Sequence, residues 1–159
     1  MQYMAKYQSP MGQMLMASDG DSLTGLWFEG AKYFAAGLSP EPEVRELPAF
    51  EQTGRWLDLY FSGREPDFTP PIRMAGTPFQ LRVWEELQKI PRGGTVTYGE
   101  LARLLGVKSA QAVGGAVGRN RISIVIPCHR VVGAGGLTGY AGGVDKKREL
   151  LRLEGARYE

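Results

Sequence analysis

The chain of 159 residues holds one cysteine and one histidine, Cys128 and His129, and they are neighbours in "RISIVIPCHRVVGAGGLTGYAGG". A free thiol has a pKa of about 8.5, so little of it is thiolate at neutral pH. A nucleophilic cysteine therefore needs a base or a positive field. His129 is the only imidazole on offer. On an extended strand, neighbouring side chains point to opposite faces. Direct contact then requires the backbone to turn, as Pro127 and the glycines that follow would allow. Alternatively, a water relays the proton. A third group must orient the imidazole. Glu154, at the end of the last helix expected, can do so if the fold returns that helix to the pair. The competing reading is a buried, inert thiol beside a histidine that satisfies a local hydrogen bond. The pair alone does not separate the two.

The elements that must position these residues are legible in outline. "QYMAKYQS", "GQMLMAS" and "LTGLWFEG" are short, aromatic-rich strand candidates, with "SPMG" and "SDGDS" supplying turns between them. "AFEQTGRWLDLYFSG" spaces Phe50, Trp56, Leu57, Leu59, Tyr60 and Phe61 roughly as a helix does, and Gly63 ends it. "REPDFTPPIRMAG" carries three of the ten prolines and reads as a linker. Beyond it, Thr77 is a candidate N-cap with Pro78 at the first helical position, and Phe79, Val83, Trp84 and Leu87 share a face. Thr97 can cap a helix through Leu105, stopped by Gly106, and Ser109 can cap another through about Val117. That pair makes a helix-turn-helix pattern. "VDKKRELLRLEGA" forms a last helix, with Leu150, Leu151 and Leu153 inward.

Composition bounds what this scaffold can be. An apolar fraction of 43% supports a real core. One cysteine makes no internal disulfide, and with one histidine it makes no structural zinc site. No signal-peptide core and no apolar run of about 20 residues is present, so a soluble, cytoplasmic protein is expected. The net charge of +2 hides an asymmetry. Residues 1–75 carry six basic and ten acidic side chains, whereas residues 76–159 carry thirteen and seven. A positive second half suggests an anionic partner there.

"IPCHRVVG", followed by "TGYAGG" and a glutamate at the end of the next helix, resembles the O6-alkylguanine-DNA alkyltransferases. The likeness extends over "TPFQLRVWEELQKIPRGGTVTYGELA", "AVGGAVGRN" and "KKRELLRLEG", so over nearly all of residues 77–155. It implies an α/β, RNase H-like N-terminal domain with linker over residues 1–75. A mainly α C-terminal domain with a winged-helix-like helix-turn-helix then spans residues 76–159. The resemblance also implies the chemistry: an alkylated guanine flipped out of duplex DNA, and irreversible transfer of its alkyl group to Cys128. O4-alkylthymine is a further candidate substrate. His129 is then the base, acting through a water, and Glu154 holds and polarises it. Asn120 braces the active-site turn, and Tyr98 donates a proton or hydrogen bond to the departing guanine. The carbonyls of Cys128 and Val131 read the exocyclic amine, the N–H of Ala141 faces O6, and Tyr140 to Gly143 form a wall of the pocket.

DNA contacts implied by the same likeness are Ser109, Gln111, Ala112, Gly115 and Arg119, with the small residues of "SAQAVGGAVG" entering the minor groove. Arg121 and the Lys146–Lys147–Arg148 cluster are further candidates for phosphates. The family commonly has an arginine where this chain has Gln111, which leaves base extrusion without that charge. Some members hold zinc in the N-terminal domain. This chain lacks such ligands, so neither metal nor cofactor is expected, and the protein is expected to work as a monomer. Two other readings are a Cys-His hydrolase, which would need an oxyanion site, and a non-catalytic helix-turn-helix DNA-binding sensor, which the cysteine of "PCHR" argues against.

Overall fold

A computed structural model describes residues 2–134, 136–137, 140 and 143–156. The chain divides into two compact units. One comprises residues 1–75 together with 121–123, the other residues 76–120 and 124–159.

In the first unit, β1 (Tyr3–Ser9), β2 (Gly12–Ser18) and β3 (Leu23–Phe28) form an antiparallel meander. Gly12, at φ 116°, takes the left-handed turn that lets Ser9 pair with it directly. A two-residue strand, β4 (Glu43–Val44), adds in parallel to β1, giving the order β3-β2-β1-β4. Helix α1 (Pro48–Phe61) packs on the sheet through Ala49, Phe50, Thr53, Leu57 and Tyr60. Trp56 stacks on Tyr60 with ring centroids 5.3 Å apart. The free edge of β3 does not stay open. Leu23 donates to Pro71 O and accepts from Arg73 N, at 2.7 and 2.9 Å, so part of the segment read as a linker is sheet edge. Further along, Leu26 N donates to Arg121 O and Leu26 O accepts from Ser123 N, at 2.8 and 2.9 Å. Covering an edge in this way removes a template for unwanted pairing.

The second unit is mostly helical: α2 (Pro78–Leu87), α3 (Tyr98–Leu105), α4 (Ala110–Gly118) and α5 (Val144–Leu153). Its local signals are strong. Thr77 and Gln80 form a full capping box at α2, and Thr97 and Glu100 form another at α3. Ser109 caps α4 by accepting from Ala112 N at 3.0 Å. Gly106, left-handed at φ 71°, ends α3 and makes the turn of the helix-turn-helix. Trp84 of α2 is 2% exposed, and its indole N–H donates to Ala116 O of α4 at 2.9 Å. That bond and the buried ring fix one helix against the other. Two short strands, β5 (Val96–Thr97) and β6 (Val131–Val132), pair in parallel and bring the start of α3 to the segment after Cys128. In α5, Leu150 and Leu151 are fully buried, whereas Leu153 is only half-buried. The inward position one turn before Leu150 and Leu151 is taken by Lys147, 0% exposed.

Candidate active site

Cys128, His129 and Arg130 lie on a single 3-10 turn, not on a strand. The turn follows Pro127, whose φ and ψ of −82° and 66° divert the chain out of extended geometry. Just upstream, Ile124 sits at φ 69° with 1% of its surface exposed. A β-branched residue in the left-handed region is rare and costs about 1–3 kcal/mol, which the surrounding packing must impose. Asn120, the second residue past α4, donates from Nδ2 to Ile126 O at 2.8 Å and so ties this strained turn to the end of α4.

Helix α5 does return to the pair. Glu154 is its C-cap residue, 8% exposed. Its Oε2 lies 2.6 Å from His129 Nε2. Arg130, which the sequence reading did not single out, holds the same carboxylate with a fork: Nε to Oε1 at 2.8 Å and Nη2 to Oε2 at 3.1 Å. A third Arg130 bond, Nη1 to Ile90 O at 2.6 Å, anchors the guanidinium. Burial alone would raise the Glu154 carboxyl. The hydrogen bonds from His129 and Arg130, with the charge of Arg130, outweigh it and hold the group well below the usual carboxylate range. An ionised carboxylate only accepts, so His129 carries its proton on Nε2. Burial keeps the imidazole neutral by pushing its pKa below the ordinary value, against the pull of Glu154. Its other nitrogen, Nδ1, has no hydrogen-bond partner among the described residues. The result is an oriented base with an open lone pair.

Cys128 is 5% exposed, and burial pushes its thiol up. Three influences act the other way: a hydrogen bond from Asn120, the charge of Lys147, and the backbone N–H groups of Cys128 and His129. Lys147 is the second residue not foreseen as part of the site. Its expected role, meeting DNA phosphates within a cluster with Lys146 and Arg148, is overturned, because a side chain with no exposed surface cannot meet a phosphate. Its Nζ instead donates to Val131 O at 2.5 Å and lies 5.9 Å from the centre of the Tyr98 ring. Burial pushes the ammonium down to about 8. Arg148 is turned to Asp145, 3.1 Å away on the same helix.

Tyr98 opens α3, directly after β5, and its ring passes Gly114 of α4 closely. A Cβ added at Gly114 would stand 3.6 Å from it. The two carbonyls expected to read a guanine amine are each already used once, Cys128 O by Val131 N–H and Val131 O by Lys147. Each keeps a second lone pair. The Tyr140 ring stands edge-on to His129, with centroids 6.5 Å apart. Ala141 and Gly142, half of the wall expected from Tyr140 to Gly143, lie outside the described residues. Ser109, Gln111, Ala112, Gly115 and Arg119 are all exposed. Gln111, Ala112, Gly115 and Arg119 are spaced along α4 as one stripe, away from the buried Val113, Ala116 and Val117, and Ser109 is the N-cap at the start of the helix.

Comparison with known proteins agrees along the whole chain. Residues 78–156 match the family model of the 6-O-methylguanine DNA methyltransferase DNA-binding domain, and residues 2–74 that of its ribonuclease-like domain. The methylated-DNA–protein-cysteine methyltransferase of Haemophilus influenzae is 43% identical, covering 98% of this chain and 88% of that protein. The protein of that name from Methanosarcina acetivorans is also 43% identical, covering 97% and 99%. The crystal structure of Mycobacterium tuberculosis OGT in complex with DNA superposes with a TM-score of 0.84 at 39% identity, covering 96% of this chain and 92% of that one. Two family models that span both units, and relatives 43% identical over nearly the whole chain, show that the chain belongs to the 6-O-methylguanine DNA methyltransferase family.

Proposed function

We propose that this protein repairs DNA directly, by moving the alkyl group of O6-alkylguanine in duplex DNA onto Cys128, once per molecule. The observation that carries this reading is the 2.6 Å contact between His129 and Glu154, which leaves Nδ1 as the open base beside the only thiol of the chain. In the resting site the thiol is neutral. His129 Nδ1 takes its proton, directly or through a water, and Glu154 with Arg130 holds the resulting imidazolium. Sγ then attacks the alkyl carbon in line, a C–S bond forms, the C–O6 bond breaks, and its electron pair passes to the guanine. Tyr98 supplies the proton or hydrogen bond that makes guanine a better leaving group, and the imidazolium restores it. A thioether has no easy reversal, so the protein stops there.

The Lys147 ammonium stabilises the thiolate and fixes the Val131 carbonyl. Asn120 keeps the turn in register. Residues 76–159 serve as the transfer and DNA-binding domain and residues 1–75 as the RNase H-like domain. The exposed stripe of α4 meets the minor groove, and Gln111 fills the gap left by the flipped base, whose extrusion costs a few kcal/mol. Among the described residues no helix is long and apolar enough to cross a membrane. The protein acts in the cytoplasm as a monomer in this reading. The test is intact mass after incubation with a duplex holding one O6-methylguanine. One added methyl per protein is expected, on the peptide that contains Cys128. Several turnovers per protein, or a methyl on another residue, would overturn the reading.

A further inference from the structure

The first unit contains a cavity of about 270 Å³ that alkyl transfer does not use. This lies just below the usual range for small-molecule sites, roughly 300–1,000 Å³. Its polar lining is unbalanced. The Arg121 guanidinium lies on the bare face of Gly37, so close that a Cβ there would be 2.5 Å from Nη1. Among the described residues it has no hydrogen-bond or ion-pair partner. Trp27, 4% exposed, lines the same cavity, and its indole N–H has no acceptor among the described residues. An unsatisfied buried donor of this kind is destabilising until a partner reaches it.

The acceptors nearby are already engaged. Asp19 accepts from Asp21 N and Ser22 N on Oδ1, at 3.0 and 2.9 Å, and from Arg73 on Oδ2 at 3.3 Å. The backbone bonds, chiefly that from Ser22, hold its carboxyl low and charged. Gln2 donates to Gly37 O at 3.0 Å and accepts from Ser39 N. Two arginines against one aspartate leave the lining one positive charge in excess. Thr24 adds a neutral hydroxyl, and the remaining side chains of the wall are apolar: Ala17, Ala36, Leu38 and Ala75.

We propose that this cavity is a binding site for a small monocarboxylate with an apolar body. The carboxylate pairs with the planar fork of Arg121, which suits two parallel hydrogen bonds. The Trp27 N–H supplies a further donor, and the apolar wall takes the body. One negative charge matches the excess of one positive charge, which favours a carboxylate over a doubly charged phosphate.

The experiment is a titration of the full-length protein with sodium benzoate, followed by the indole N–H resonance of Trp27 in nitrogen-15-resolved NMR. That resonance is assigned by its loss in Trp27→Phe. Parallel titrations use sodium phosphate, sodium chloride and an unmodified DNA duplex. A saturable shift with benzoate is expected, with millimolar or tighter affinity, weakened at least tenfold in Arg121→Gln and less in Arg73→Gln. Ala75→Leu, which narrows the mouth at an exposed position without touching Arg121, should weaken it as well. Its spectrum and melting temperature establish that the fold is intact, so the result stands even if Arg121→Gln disturbs the sheet edge. Absence of a saturable shift overturns the proposal, as does an affinity unchanged in both Arg121→Gln and Ala75→Leu. Equal response to phosphate or chloride means an adventitious ion only. A Trp27 shift caused by the duplex and lost in Arg121→Gln assigns Arg121 to DNA instead.

Discussion

The imidazole of His129 has its proton assigned by its neighbour. Glu154 is ionised and can only accept, so Nε2 donates and Nδ1 is left as the base. General bases contribute roughly 10²–10⁴-fold. His129→Ala should therefore slow methyl transfer at least 100-fold in single-turnover kinetics on folded protein, and transfer at the native rate would remove it from the proton path. Glu154→Gln should slow transfer too. It also strands the Arg130 guanidinium, and breaking a buried pair costs about 3–5 kcal/mol, readable by chemical denaturation. Lys147 separates electrostatics from packing. Lys147→Met keeps the length of the side chain and removes the charge that favours the thiolate. The rate at pH 7.5 should fall about tenfold, the change in thiolate fraction for one unit of pKa. The pH of half-maximal rate should rise by about one unit. A purely structural Lys147 would instead lower the rate equally at every pH. The folded ammonium titrates at about 8, against roughly 10.4 when unfolded. Its burial therefore costs stability below pH 8, a cost relieved as pH rises through that window, and Lys147→Met should lose no stability at neutral pH.

At the level of the elements, α4 carries Gln111 at the position where the family resemblance implies an arginine. Gln111 is exposed on the same stripe as Ala112, Gly115 and Arg119. A glutamine offers a donor and an acceptor to an orphaned base but no charge to draw it into the groove. Gln111→Ala should slow repair of duplex DNA several-fold more than reaction with free O6-benzylguanine, which needs no flipping, and Gln111→Arg should restore or raise it. Equal losses on both substrates would assign Gln111 to the pocket or the fold. The helices themselves were legible because their signals are local: Thr77, Thr97 and Ser109 as caps, Gly106 as stop. The 3-10 turn at Cys128 was not, since "ISIVIPCHRVV" has the composition of a strand and only Pro127 interrupts it. Lys147 was missed because "DKKRE" reads as a solvated surface, and its partners, Val131 O and the Tyr98 ring, are 16 and 49 positions away. A signal did exist. Residues 147, 150, 151 and 154 share one helical face, so the stripe that buries Leu150 and Leu151 and aims Glu154 inward must bury Lys147 too.

Over the whole molecule, the buried triad of His129, Glu154 and Arg130 sets the acid limit. His129 stays neutral in the fold, with a pKa below its ordinary value. As pH falls below about 6.5, the unfolded chain binds a proton that the folded chain does not, and stability is lost. Glu154 adds a second loss below roughly pH 4.3, where the unfolded carboxylate begins to protonate while the folded one resists. Denaturation between pH 8 and pH 5 should show a decline that is flattened in His129→Gln, and an unchanged slope in that variant would assign the decline to other groups. The two-part organisation and the strands were readable from turn chemistry. The pairing of residues 121–123 with β3 was not, because no local pattern announces a partner so distant.

That pairing bears on how the chain comes into being. Leu26 waits for Ile122, 96 positions further on. On a ribosome the first unit emerges early, yet its last edge stays unsatisfied until most of the chain has been made. The residue after that stitch is Ile124, where the strained approach to Cys128 begins. Closing the sheet and setting the acceptor turn are thus adjacent events along the chain, late in synthesis. In the finished protein the amides of Leu26 and Ser123 should exchange with deuterium through one shared opening and at matched rates. Widely separate rates would mean that the stitch opens one bond at a time.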